Sequence, residues 1–517
     1  MTSPAPLIRK IQADPTAFLN RLRSAYPYGC RPPVGSAKPL RSARHLTALP
    51  PLPGSKTFRY SVGMLFALLL VAAAADWVPA RWPWSDPATL ELLAGTPVNC
   101  LLVERPAWDA RFNRQARIAG VATLGVIGEE TDPVAATAEA VELDFTGVVY
   151  EGDFPRGALD EARKVAARAD RIVVELVPRT SMRLESADAI LGTFQGVWPG
   201  INLADDGSAK AAPTGSLWID TNTGFLRFLR AMTEAEIWLG NLPPAGTVIP
   251  LSRYLQAIAD AAMVGGRWIV AFDDDFAARL ARGDAAAIED WRRIGRHLAY
   301  WQQHRAWREY RPYGGLAIIH DVQSGALLSN GILDMVSARH TPLRSIPIRR
   351  LSDEAIAGAR MAVSVDPAAL EPEQKEILRR FTRSGASLLS APPGWKFPPI
   401  QPGQMSVDKN EVARLDDIWR GVNSMVGREN LGVRLFNVSS MRSELVAAPG
   451  GRPVVLHLVN YADYPVEHVT VHLLDKFEKA RLLAPEAPPK TLEVYPHGEG
   501  SGVDIDLVRN VATLMLE

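Results

Sequence analysis

Cysteine is almost missing from this chain: only Cys30 and Cys100 occur among 517 residues. Cys30 lies in a Pro/Arg-rich leader and Cys100 in an apolar, strand-like run, so neither a disulfide framework nor a zinc site is expected. Cys100 reads as a small buried hydrophobe. A surplus of one charge is missing too, since 57 basic residues balance 57 acidic ones. Nothing therefore points to nucleic acid as a partner or to an acidic disordered tail. The chain also lacks a Gly-x-Ser-x-Gly elbow, a P-loop and a His-Glu-x-x-His helix, which removes the usual signatures of several hydrolase classes. No cofactor and no metal are expected. The one run of acids, Asp273 to Asp275, is consecutive, and neighbours in a chain do not all face one ion.

An apolar run of membrane-spanning length is wanting as well. Val62 to Ala75 is roughly fourteen residues, short of the ~20 that a spanning helix needs. Lys56 and Arg59 precede it and small residues end it, the pattern of a secretory signal peptide cleaved after Ala75. Residues 1–59, rich in Pro, Arg and Ser, read as a disordered leader. So long a leader leaves two other forms open: a true start at or near Met64, or an uncleaved anchor with a cytoplasmic tail. Residues 60–76 are thus read as signal peptide or membrane anchor. The chain is expected to be exported and to be periplasmic, extracellular or anchored to a membrane.

What is present is an alternation of short apolar strands and amphipathic helices, in a chain too long for one ordinary domain. VNCLLVE (98–104), ATLGVI (122–127), GVVYE (147–151), RIVVELV (171–177), ILGTFQGVW (190–198), SLWID (216–220), EIWLGNL (236–242) and RWIVAFD (267–273) read as eight strands with helices between them. This series predicts a (β/α)8 barrel over 87–311, with a doubly wound open sheet as the alternative. GLAIIHD, PLRSIPI, MAVSVDP and ASLLSAP then predict a flavodoxin-like α/β domain over 312–402, with Gly385 ending the helix before the last of them. A linker (403–432) leads to short, evenly spaced strands that predict a small all-β sandwich over 433–517.

This order of domains resembles the β-galactosidases that carry a trimerisation domain, in which an amidotransferase-like α/β domain follows the barrel. LEPEQKEILRRFTRSGASLLSAP is similar to that middle domain and GRPVVLHLVNYADYPVEHVTVHLL to the terminal sandwich. SLWIDTNTGFLRFLRA resembles a segment of bacterial barrel proteins with the same domain order. The resemblance implies carbohydrate as substrate or ligand, and an oligomer contact through 312–402. It also implies an acid/base Glu, usually after Asn, at the end of strand four and a nucleophilic Glu at the end of strand seven. The match stops there. In RIVVELV, counted as strand four, Glu175 follows Val174 and sits inside the strand. EIWLGNL ends in Asn241, with its one acid, Glu236, at the wrong end. The middle domain has no cysteine and so cannot run amidotransferase chemistry.

Catalytic groups of such barrels sit at the C-terminal ends of the strands. By that rule Asp220, Glu151, Asp273 and Glu175 are the candidate catalytic carboxylates. Asn222, Trp198, Gln195, Asn241 and Glu104 are the candidate substrate contacts. Each has a plainer reading. Asp220 and Asp273 both precede helices and suit helix caps. Glu175, if buried, needs a cation such as Arg179. Glu104 suits a rim ion pair with Arg105, and Trp198 suits core packing. Two functions stay open: a glycoside hydrolase working through paired carboxylates, and a non-catalytic barrel that binds glycan or serves as a structural subunit at the cell envelope.

Overall fold

Strand four shows how the barrel is specified. Gly-Val-Val-Tyr-Glu packs β-branched and aromatic residues between a glycine and a loop, and every residue but the last is buried. The computed structural model describes residues 74, 76–184, 189–199, 201–203, 209–211, 221–320, 333, 336–337, 339–391, 417, 420–427, 429–438 and 440–517. All of these belong to one unit, Val62–Glu517.

Eight parallel strands form the first sheet. They are β1 (Pro79–Trp82), β2 (Cys100–Val103), β3 (Ala122–Gly128), β4 (Gly147–Glu151), β5 (Ile172–Val177), β6 (Ile190–Thr193), β7 (Glu236–Leu239) and β8 (Gly266–Trp268), in that spatial order. The ring closes where Ala80 of β1 bridges Val270, just past β8. There the Arg81 amide donates to the Val270 carbonyl at 2.7 Å. The barrel is therefore the expected (β/α)8 type rather than an open sheet, but its strands are counted differently. The first strand, Pro-Ala-Arg-Trp, lies ahead of residue 87, and the prolines around it disguise it. Pro79 takes the strand's first position, where a missing N–H is tolerated. Conversely, 216–220, expected as the sixth strand, lies outside the described residues, and β6 pairs directly with β7. RIVVELV is accordingly the fifth strand, not the fourth.

Alternation decides what fills the barrel. Cys100, Leu102, Val126, Val149, Leu176 and Trp238 share one interior cluster. Burial pushes the Cys100 thiol well up, so it stays an inert thiol. Trp77 closes the N-terminal end, its ring 6.3 Å from that of Trp238. Ala74 belongs to the same cluster and is only 3% exposed.

The helices around the ring are α1 (Ala110–Ile118), α2 (Pro133–Glu142), α3 (Arg156–Arg168), α4 (Thr223–Met232), α5 (Leu251–Ala262), α6 (Asp274–Ala281) and α7 (Ala285–Gln303). Aspartates start several of them: Asp109, Asp132, Asp273 and Asp284 each accept from a backbone amide of the first turn. No helix among the described residues is long and apolar enough to cross a membrane.

The middle domain is a four-stranded parallel sheet of β9 (Leu316–His320), β10 (Leu343–Pro347), β11 (Met361–Ser364) and β12 (Ser387–Ser390), in the order β10-β9-β11-β12. Helix α8 (Pro372–Arg383) precedes β12, and Gly385 ends it with φ +95°. His320 lies 2.7 Å from Ser345 Oγ, and His340 Nε2 donates to the Val438 carbonyl at 3.1 Å. Both histidines are held in structural contacts.

The sandwich holds β13 (Val433–Phe436), β14 (Met441–Ala447), β15 (Val454–Asn460), β16 (Val466–Leu473), β17 (Ala480–Ala484), β18 (Ala487–Leu492), β19 (Tyr495–His497), β20 (Gly500–Val508) and β21 (Val511–Leu516). One sheet runs β14-β15-β21-β17-β18, with Arg311 and Pro312 added beside β14; the other runs β13-β16-β20-β19. The first sheet packs its outer face on the barrel. His457 of β15 lies against Trp301 and Trp307, ring centroids 5.3 and 5.0 Å away. Glu444 of β14 takes Arg227 of α4 at 2.8 Å, with both side chains under 10% exposed. The outer face of the second sheet turns Phe436, Asp504 and Asp506 out as exposed residues.

Candidate active site at the barrel mouth

Inward-facing positions at the C-terminal ends of β1, β2 and β4 bring three charged side chains together. Arg81 lies level with Leu102 in the β1–β2 register, so it points into the barrel. Glu104 continues the inward series Cys100, Leu102, and Glu151 continues the series Gly147, Val149. Arg81 Nη1 donates to Glu104 Oε1 at 2.5 Å, while Nη2 donates to Glu151. The arginine side chain is 5% exposed, whereas the carboxylates are 39% and 19% exposed, which leaves both acids reachable from the mouth. Each carboxyl holds a different nitrogen of one guanidinium, so the two are no farther apart than the ~10 Å that glycoside hydrolysis tolerates.

Their electrostatics differ. Burial drives the Glu151 carboxyl above its ordinary value. Arg81 opposes that rise, and Glu104 and Glu130 add to it. Glu130 folds back over Gly128 at the end of β3, where a methyl group would fall 2.5 Å from its oxygen. Glu129 accepts the Asp153 amide at 2.7 Å and fills the space beside Gly152. Burial lowers the Arg81 pKa, but Glu151 and Glu104 outweigh it and the net shift is upward. The mouth is thus an acid-rich rim around one buried cation.

The remaining expected site residues are placed elsewhere. Glu175 alternates with inward-facing Val174 and Leu176, so its side chain projects outward. Arg163 of α3 holds it there through Nε at 3.0 Å. Its partner is that helix arginine and not Arg179. Asp273 is 3% exposed and caps α6, and its other oxygen takes the Tyr254 hydroxyl at 2.9 Å and the Ile249 amide at 3.2 Å. Asn222 is fully buried, where it clasps Val197 through both backbone atoms and binds Asp260. Gln195 Oε1 accepts the Arg179 amide at 2.9 Å, and Asn241 Nδ2 donates to the Gly196 carbonyl at 2.8 Å. Trp198 is 4% exposed and packs edge-on against Tyr254 and Trp268, so it offers no open face to a sugar. Asp220 lies outside the described residues.

Of the expected set, then, the structure brings Glu104 and Glu151 together. Sequence reasoning missed Arg81 and Glu130. Arg81 was hidden with its strand, whereas Glu130, two residues past the inward Gly128, continues the series Val126, Gly128, and alternation carried past the strand end would have marked it. The recount of strands has one further effect. The end of strand four, where the resemblance puts an acid/base Glu, is Glu151, preceded by Tyr150 rather than Asn. Strand seven still runs into Gly240 and Asn241 without an acid.

No family model matches the chain, and no curated protein matches it. Among solved structures it is similar to α-L-fucosidase isoenzyme 2 from Paenibacillus thiaminolyticus, at 10% identity over 85% of this chain and 99% of that one, TM-score 0.54. It also matches a rhamnosidase from Novosphingobium sp. PP1Y, at 11% identity over 79% of this chain and 40% of that one, TM-score 0.42. At such identities the likeness is one of fold: the chain carries a glycoside-hydrolase-like barrel extended by α/β and β-sandwich layers.

Proposed function

We propose that this chain acts on glycosides at the C-terminal mouth of its barrel, with Glu151 and Glu104 as the working carboxyl pair. The observation that carries the proposal is their inward convergence on Arg81. Burial favours the protonated form of Glu151, which suits it to give a proton to the leaving glycosidic oxygen. Glu104, the more exposed of the two, faces the sugar's anomeric carbon as nucleophile or as the base for an attacking water. Arg81 positions both groups.

Full-length protein assayed on a panel of aryl glycosides and oligosaccharides tests this. Glu151→Gln should lower kcat about 10²–10⁴-fold. A proton donor must be protonated to act, so wild-type turnover should fall as pH rises past the raised Glu151 value, and the variant should lose that limb. Glu175→Gln, on the outer face of the barrel, should keep turnover within a few-fold. Equal activity in wild type and Glu151→Gln would sink the assignment. A second reading rests on its own observation. Arg81 already engages both carboxyls, and strand seven ends without an acid. On that reading the mouth binds glycan without turnover, and the panel would show binding alone.

We further infer that the chain works outside the cytoplasm. The apolar run from Val62 to Ala75, with Lys56 and Arg59 before it and small residues at its end, supports export through a signal peptide, and its length falls short of a spanning helix. A mature N-terminus at Met1 would refute cleavage after Ala75.

A further inference from the structure

The second sandwich sheet carries an aromatic surface on its outward face, far in sequence from the barrel strands. Its outward positions read across the strands from β13 to β19. Arg434 lies level with His472, His472 with Gly502, and Gly502 with Tyr495. One row on, Phe436 lies level with Thr470, and Thr470 with Asp504.

The glycine is the informative residue. A methyl group on Gly502 would fall 2.1 Å from Tyr495 Cε2 and 2.4 Å from Cζ. The tyrosine ring therefore lies down over the bare backbone of β20 instead of standing off the sheet, as a side chain at this spacing ordinarily would. Its hydroxyl donates to Asp504 Oδ1 at 3.3 Å, and Thr470 Oγ1 donates to the same oxygen at 2.8 Å. His472 stacks on His497 with centroids 3.4 Å apart, and Phe436 meets the His472 ring at 5.0 Å. Phe436 is 48% exposed. It also stands at the lip of a cleft of about 440 Å³ that continues between β13 and the segment around His340 and Asn423.

A flat aromatic face flush with a sheet, edged by a carboxylate, imidazoles and a guanidinium, matches one chemistry closely. The CH face of a pyranose ring covers the aromatic surface while its equatorial hydroxyls meet the polar edge groups. An apolar protein partner would have to strip water from the exposed Asp504 without replacing it. We propose that the β13-β16-β20-β19 face is a glycan-binding surface, in which Tyr495 and Phe436 stack on sugar rings and the cleft beside Phe436 receives the adjoining residue of the chain. This rests on the reading that the protein acts on carbohydrate, and it gives the sandwich the task of holding a polymer near the barrel.

Affinity electrophoresis of the full-length protein tests it, in native gels containing in turn xylan, dextran, laminarin, hydroxyethylcellulose and alginate. The expected result is retardation in at least one gel, weakened about tenfold in apparent affinity by Phe436→Ala and by Tyr495→Ala. Gly502→Ala keeps the tyrosine but lifts its ring, and should weaken retardation similarly. Phe436 is half exposed, so its removal tests the face without threatening the fold. Retardation kept in all three variants but lost in Glu151→Gln would overturn this inference and leave the barrel-mouth reading standing. No retardation in any gel would also overturn it, while the glycoside assay judges the mouth separately.

Discussion

Arg81→Met should destabilise the protein by about 3–5 kcal/mol, the range for removing one partner of a buried charge cluster. The argument is electrostatic. Arg81 is 5% exposed and is the cation that both Glu151 and Glu104 contact. Without it, Glu151 is left 19% exposed beside Glu104 and Glu130, all of one sign. Glu104 is 39% exposed and water screens it, so most of the loss falls on Glu151. Removing that charge as well, in Arg81→Met/Glu151→Gln, should return a large part of the lost stability. Arg81→Lys should fall between, because an ammonium cannot offer two nitrogens in the fixed geometry of the fork. Urea unfolding of the three variants measures all of this. A loss below ~1 kcal/mol in Arg81→Met would mean that the carboxylates simply protonate or rotate into solvent.

The second large effect is expected at the seam between barrel and sandwich. Arg227→Met should cost about 3–5 kcal/mol, because it strands Glu444 in a site where burial already raises its carboxyl despite the arginine. Arg227 donates to Glu444 from Nε at 2.8 Å and to the Ser443 carbonyl from Nη2 at 3.1 Å. A second polar knot lies nearby. Asp260 of α5 accepts the Tyr461 hydroxyl from the sandwich at 2.5 Å and the Asn222 amide at 2.7 Å. The double variant Arg227→Met/Glu444→Met fills the same space without charge and should recover most of the loss. In the single variant the sandwich, loosened from the barrel, should melt in a separate step by calorimetry. One unsplit transition with unchanged midpoint would show that the pair contributes little to holding the layers together.

The sequence was readable where the physics is local. Long apolar strands between helices announce a parallel sheet, and the strand-end rule led to Glu104 and Glu151. Glu175 was misjudged because a parallel strand is buried on both faces. With apolar residues on either side of it, nothing in RIVVELV tells inward from outward. Asn222 was misjudged for another reason: its partner Asp260 lies 38 residues away and is itself bonded by the Tyr461 hydroxyl from across a domain boundary. Asp273 obeyed the plainer cap reading. The first strand was lost because two prolines in six residues argue against a strand until the ring that needs it is in view.

That first strand has a consequence for how the protein could fail. A complete ring has no unpaired border, since every strand has a neighbour on both sides. Pro79–Trp82 is the piece that joins β2 to β8, and it spans only four residues. A chain that lost it, by proteolysis or by trimming at residue 87, would keep seven strands and expose two long-range seams, along β2 and along β8. Open hydrogen-bonding borders of that kind recruit strands from other molecules. The short strand that its flanking prolines disguise is thus the one that keeps the barrel from aggregating.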